Sequence, residues 1–177
     1  MEERIDIELK PVTHITTDAI GPAGKRVFYI QGWKDERIVS LIVEKFQIQT
    51  LAVGVEQFLA EIYQKFPNLP NAPGDYDEEQ MHIHPPVEPL FRVGELGLGY
   101  DVENDLVGLV AREIATEEDQ PEEETNVVRF WCSRAQIRAL IHWGVEISSR
   151  GRPLCEQCGE PMDPEGHFCP RKNGHRH

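Results

Sequence analysis

"RVFYIQGWKDERIVSLIVEK", residues 26–45, decides how this chain folds. Its two apolar runs, 26–33 and 37–45, are rich in β-branched and aromatic residues, and Lys34-Asp35-Glu36 parts them, so they predict a β-hairpin closed by a polar turn. Upstream, across Gly21-Pro22-Ala23-Gly24, "VTHITTDAI" (12–20) reads as a further extended stretch. Downstream the period changes. Ile48, Leu51, Ala52, Val55, Phe58, Leu59, Ile62 and Phe66 recur at helical spacing, which gathers them on one face of a helix over 46–66 that Pro67 stops.

The second half repeats the order. "LFRVGELGLGY" (90–100) and "LVGLVAREI" (106–114) enclose a turn at 101–105, and "NVVRFW" (126–131) adds a third strand. Ser133, with Gln136 three residues on, is a capping-box signature for a helix over 134–150 whose stripe is Ile137, Leu140, Ile141, Gly144 and Val145. A βββα order therefore occurs twice. Two local echoes suggest a duplication: "FQIQTLA" (46–52) lies on "AQIRALI" (135–141), and "IVSLIV" (38–43) on "LVGLVA" (106–111). One-sided helices must bury their stripes, so residues 1–150 are expected to form an α+β domain. Its sheet should have about six strands, mostly antiparallel, with both main helices on one face.

Two segments stand outside this pattern. Residues 67–89 hold six prolines beside Asp75, Asp77, Glu78 and Glu79, which predicts a long exposed loop, and the charge run 116–125 predicts a solvated one.

Composition narrows the function classes. The formal net charge over 177 residues is −13; from Arg150 onward five Lys/Arg face four acids, which leaves −14 on residues 1–149. Such a body repels phosphate backbones and argues against DNA as a partner. No apolar run approaches the roughly 18–20 residues of a membrane helix, and "MEERIDIELK" lacks the apolar core of a secretory signal. The expected compartment is the cytoplasm, where thiols stay reduced.

That bears on "CEQCGEPMDPEGHFCP" (155–170). Cys155 and Cys158 at Cys-x-x-Cys spacing can face one ion from a tight turn, with Gly159 freeing the backbone to turn toward the sulfurs. Cys169 supplies a third thiolate. Zinc takes four N/S ligands in a tetrahedron, so His167 or His175 completes the set. A redox Cys-x-x-Cys needs a helix N-terminus to lower a thiol pKa, and "GEPMDPEG" does not make one. The expectation is a small zinc-binding clip over 151–177. Four protein ligands leave no open position for water, so its Zn2+ would be structural.

The tract through "DPEGHFCPRKNG" resembles the C-terminal signature of an uncharacterised bacterial family, a domain of unknown function, and the resemblance extends over most of the chain, including "VRFW" and the helix after it. The family's histidine falls at His167, so the resemblance implies the ligand set Cys155, Cys158, His167 and Cys169. It implies no activity. Its members are similar to proteins encoded near a histidine-phosphatase-like and a lipid-kinase-like protein, which implies a link to phosphate metabolism or signalling.

Other residues carry weaker signals. Cys132, at a strand end beside Trp131, reads as a small buried hydrophobe. His82 and His84 share one side of an extended segment downstream of four carboxylates, so the loop offers a second metal site or merely two exposed histidines. The glycines of "GELGLG" (94–99) mark a bulge or close backbone packing rather than a phosphate loop, since no helix comes after them. His142 reads as a partly buried helical residue. Three function classes remain: a ligand- or protein-partner-binding module with structural zinc, an enzyme or regulator acting on a phosphorylated or nucleotide-like substrate through Arg26, Arg92, Arg112 and Arg129, or an RNA- or ribosome-associated protein using Arg171, Lys172 and Arg176. A pocket lined by the arginines of the second class would favour it; an exposed apolar patch would favour a partner.

Overall fold

A computed structural model describes residues 4–22, 24–115 and 125–150. The cysteine cluster at 155–169, His175, the basic end and nearly all of the 116–125 charge run lie outside the described residues. The elements run β1 (Asp6–Leu9), β2 (His14–Ile20), β3 (Val27–Lys34), β4 (Arg37–Val43), α1 (Lys45–Lys65), β5 (Pro89–Asp101), β6 (Leu106–Glu113), β7 (Val127–Cys132) and α2 (Arg134–Arg150). The hairpin forms as expected. β3 and β4 pair antiparallel from Phe28↔Val43 to Lys34↔Arg37, and Asp35 takes a left-handed φ of 54° at the tip, which a short polar side chain tolerates.

The seven strands make one sheet in the order β1-β7-β6-β5-β4-β3-β2. It is mixed, which corrects the expectation of about six mostly antiparallel strands. β4/β5 and β1/β7 are parallel, and the other four neighbouring pairs are antiparallel. The β4/β5 pair is parallel because α1 returns the chain between the two strands, the crossover that parallel neighbours require. β1, the unforeseen strand, has four residues, too few for an alternating pattern to stand out.

Both helices pack on one face of this sheet. Ile48 of α1 lies against Gly144 of α2, and Glu56 bonds Arg138, so the two helices run antiparallel. A Cβ at Gly144 would stand 2.7 Å from Ile48 Cγ2 and 3.2 Å from Thr17 Cγ2, so α2 is wedged between α1 and β2. The core joins Ile15, Ile30, Leu41, Leu109 and Phe130 of the strands to Ile48, Val55, Ile137 and Leu140 of the helices, all 0–1% exposed. Each such side chain contributes about 1.5–3 kcal/mol on burial.

The two halves share their caps as well as their order. Glu44 N donates to Gln47 Oε1 at 2.7 Å, and Ser133 N donates to Gln136 Oε1 at 2.8 Å. The same two amides then donate onward to the strand side, Gln47 Nε2 to Val93 O (3.1 Å) and Gln136 Nε2 to Thr13 O (3.2 Å). The helix echo is thus structural. The strand echo is not: β4 precedes its helix as β7 does, whereas "LVGLVA" is β6, the middle strand of its own meander. Both are apolar interior strands, and shared composition explains the likeness.

The sheet also curls. Val12 N donates to Trp131 O at 2.8 Å and Thr13 N to Trp33 O at 2.7 Å, so the chain between β1 and β2 passes from the β7 side to the β3 side. Gly32 faces the Phe130 ring, with 2.6 Å to the place a Cβ would occupy. The bulge foreseen in the glycine run is present: the β5/β6 register shifts between Val93 and Glu95, where Gly94 faces the Ile114 backbone.

Candidate functional site

The connection between α1 and β5 is long, and it is held like a strap. Proline density keeps it irregular, so its backbone polar groups need side-chain or solvent partners. Near its start, α2 supplies them. Arg134 donates to Pro70 O (2.9 Å), Arg138 to Ala72 O (2.9 Å), and His142 Nδ1 lies 3.0 Å from Gly74 O, three residues one turn apart on one helical row. The strap then rounds β2, the edge strand. Tyr76 meets Trp143 edge-on, Arg150 bonds Glu78, and Thr16 Oγ1 donates to Met81 O at 2.6 Å. Trp143 Nε1 meanwhile donates to Thr17 O at 2.7 Å, so this edge is covered from both sides.

On the far face of the sheet the strap is pinned by polar strand residues. Gln31, fully buried, accepts from His84 N (2.8 Å) and donates to His84 O (3.2 Å) and Ser40 Oγ (3.0 Å). Asp18 Oδ2 takes His82 Nδ1 at 3.0 Å and Ile83 N at 3.1 Å. His84 is left exposed with its ring 4.8 Å from Trp33, and His14 stands 4.7 Å from the same indole. His14 Nε2 in turn reaches Gln80 O at 3.0 Å. Burial pushes the His14 pKa below its ordinary value, so near neutral pH its ring is uncharged. The result is an imidazole–indole–imidazole surface beside an Asp18–His82 pair, capable of stacking on a planar group and of donating to an acceptor.

A second polar cluster fastens the strap's root. The Arg134 side chain is 5% exposed; it grips Asp105 through two bonds (2.9 and 3.0 Å) and donates to Tyr63 OH at 2.6 Å. The Arg134 guanidinium holds the Asp105 carboxyl below its usual range, and the carboxylate raises Arg134 in return. Burial and Asp105 push the Tyr100 phenol up to about 12.

Residues 7–169, which take in all of the sheet but Asp6, both helices and the strap, match a family described as protein of unknown function (DUF3090). The chain belongs to the DUF3090 family. No curated protein and no solved structure matches it. In this DUF3090 protein no helix among the described residues is long and apolar enough to cross a membrane.

The four expected zinc ligands and His175 lie outside the described residues. No three of His, Cys, Asp or Glu gather as ligands among the described residues: His82 turns to Asp18, His84 to Trp33 and Glu78 to Arg150. Three of the four arginines turn to separate partners, and Arg112 is placed only by its strand register. Arg26 donates to Ile147 O, Arg92 to Glu44, Arg129 to Asp6, and Arg112 stands opposite Val127 on the strands. Cys132 is buried as expected, its thiol pushed up to about 12 by burial alone. His142 is exposed rather than partly buried: it stands on the outer row of α2, away from the sheet, where the strap's root meets it from one side. Gln31 and Asp18 were not foreseen. Their signal was a period-two polar row, Thr16, Asp18 and Gln31, inside otherwise apolar strands.

Proposed function

We propose that this DUF3090 protein is a ligand- or partner-binding module, with an α+β body over 1–150 that presents the strap as its recognition surface and a structural zinc clip over 151–177. The observation that carries the reading is Gln31. A buried amide costs free energy unless it is bonded, and two of the three bonds made by this one go to the backbone of the strap residue that stacks on Trp33. Long loops held this firmly serve binding more often than chain economy. The family match runs through both body and cysteine cluster, in keeping with the two parts working together.

The clip is tested by elemental analysis of the purified chain. One zinc per chain is expected, lost in Cys155→Ser and in His167→Ala and retained in His175→Ala; the reverse pair of histidine results moves the ligand to the tail. The surface is tested by following the ring signals of His14, His82 and His84 while inorganic phosphate or a nucleoside monophosphate is titrated. Saturable shifts at His14 and His84 that vanish in Gln31→Leu support the reading. Shifts confined to other residues remove it.

The enzyme reading retains one observation in its favour. The Asp18–His82 pair has the arrangement that orients a general base, and Asp18 also acts electrostatically on Arg26. Turnover of a phosphate ester that falls sharply in His82→Gln would favour it. RNA association through Arg171, Lys172 and Arg176 has to overcome the −14 on residues 1–149, so it should disappear at moderate salt.

A further inference from the structure

The outer seam between the two helices is apolar and open. A groove of about 550 Å³ is lined by Ala52, Val53 and Glu56 of α1 and by Ile141, His142 and Val145 of α2. Val53 is 60% exposed and Val145 51%. Two large aliphatic side chains that far into water beside one groove make a contiguous apolar patch of the kind that takes a partner.

The repeat points to its occupant. Laying Gln47 on Gln136, as their shared caps require, places Lys45, Gln49 and Val53 of α1 on Arg134, Arg138 and His142 of α2. In α2 that row is the one to which the strap is fastened, and the strap is the segment directly after α1. Among the described residues no loop is fastened to its counterpart on α1, where Gln49 and Val53 are exposed. The segment equivalent to the strap is the one directly after α2, residues 151–177.

We infer that residues 151–177 fold back over the Lys45–Gln49–Val53 row of α1 and seat their few apolar side chains in the groove between the helices. Reach is ample. Val145 lies five residues before Arg150, so about 7.5 Å of helix separates the groove from the point of departure, which two or three extended residues cover at about 3.3–3.6 Å each. Gly151 and Pro153 directly after the helix are stop-and-turn residues. The 27 residues beyond Arg150 have Leu154, Met162 and Phe168 as their larger apolar side chains, too few for a core of their own and of the kind the groove takes. Their basic end, Arg171, Lys172 and Arg176, meets a body that carries −14 over residues 1–149. The inference concerns where the clip sits and does not depend on the metal.

The test places a photo-cross-linker in the full-length chain. With Val53→p-benzoylphenylalanine, irradiation should give an intrachain cross-link to a peptide within 151–177, at several times the yield obtained from the same residue at Ile38, which is exposed on the opposite sheet face. Gln49→p-benzoylphenylalanine, on an exposed position, repeats the measurement should Val53 disturb folding. A cross-linked dimer overturns the inference and assigns the groove to a second copy. Cross-links to 151–177 no more frequent than from Ile38, or none, overturn it as well. Zinc content is read on the same samples: cross-linking without zinc retains the docking and removes the metal clip, and zinc without cross-linking does the reverse.

Discussion

Replacing Gln31 by leucine asks whether the strap is held from beneath. Leucine has a similar size and suits a fully buried position, but it removes three bonds, to His84 N, His84 O and Ser40 Oγ. At about 0.5–1.5 kcal/mol net per bond the loss is roughly 1.5–4.5 kcal/mol, against which an additional buried aliphatic group returns about 1–2 kcal/mol. A net loss of about 2 kcal/mol remains, close to a thirtyfold change in an equilibrium constant. The loss should fall mainly on strap closure. Once His84 lifts, its backbone groups regain water, so opening relieves the defect without unfolding the sheet. Hydrogen exchange measured by mass spectrometry should show peptides over 76–88 exchanging on the order of thirty times faster, with peptides in α1 unchanged. Ser40→Ala, which removes one of the three bonds, should change strap exchange little. If Gln31→Leu lowers the urea midpoint by the full amount while strap exchange stays at the wild-type rate, Gln31 is a core residue only and the recognition surface loses its foundation.

The same geometry sets further outcomes. Gly144→Ala should destabilise by about 1–2 kcal/mol despite alanine's better helix propensity, because its Cβ meets Ile48 at 2.7 Å, whereas Gly54→Ala, with nothing within 4 Å, should stabilise by about 0.5–1 kcal/mol; urea melts of the pair decide. Arg134→Met breaks a pair whose cation is buried and whose carboxylate is about one-third exposed, so a loss of about 2–3 kcal/mol is expected, below the full figure for buried pairs. Since Asp105 is depressed in the fold, that contribution is present above its unfolded pKa of 3.8 and lost as pH falls below it, so the wild-type and Arg134→Met melts should converge in acid. His14 is a base with a folded pKa below 6.5, so folding favours its neutral ring: its contribution is held above pH 6.5 and lost as pH drops toward the lowered value, and His14→Gln should flatten that part of the stability–pH curve.

The sequence made some of this legible and hid the rest for physical reasons. The stripes of Ile48–Phe66 and Ile137–Val145, with the reciprocal bond between Ser133 and Gln136, locate both helices within a residue of where they lie, although Val145 faces outward and Trp143 and Ile147 complete the buried row in its place. The hairpin was legible for the same reason. Strand direction was not: parallel β4/β5 pairing depends on how α1 crosses the sheet, and nothing local in "RIVSLIV" records it. The strap read as a loop because its prolines and acids are those of any solvated segment. Its fastening resides in residues far away in sequence, with Gln31 53 positions from His84 and Arg138 66 from Ala72.

The repeat bears on where function should be sought. Two βββα units joined into one curled sheet make a scaffold whose halves do the same mechanical work, down to glutamines that close each helix cap and reach for a strand-side carbonyl. The halves differ in the segment that leaves each helix. After α1 comes the strap, with His82 and His84 and its prolines; after α2 come the residues with Cys155, Cys158, His167 and Cys169. A scaffold stated twice, with chemistry-bearing residue types concentrated in the two segments that break the repeat, is the pattern expected when a stable frame positions two different appendages. His14 and Trp33 belong to the frame yet face the strap, so the proposed recognition surface would draw on the frame where an appendage crosses it. If the post-helix segments are the working parts, exchanging β4 and β7 core residues for others of equal volume should alter stability and leave binding intact, whereas His84→Ala should abolish binding and leave the melt unchanged. Loss of binding that instead tracked stability across both sets would place the function in the shared core.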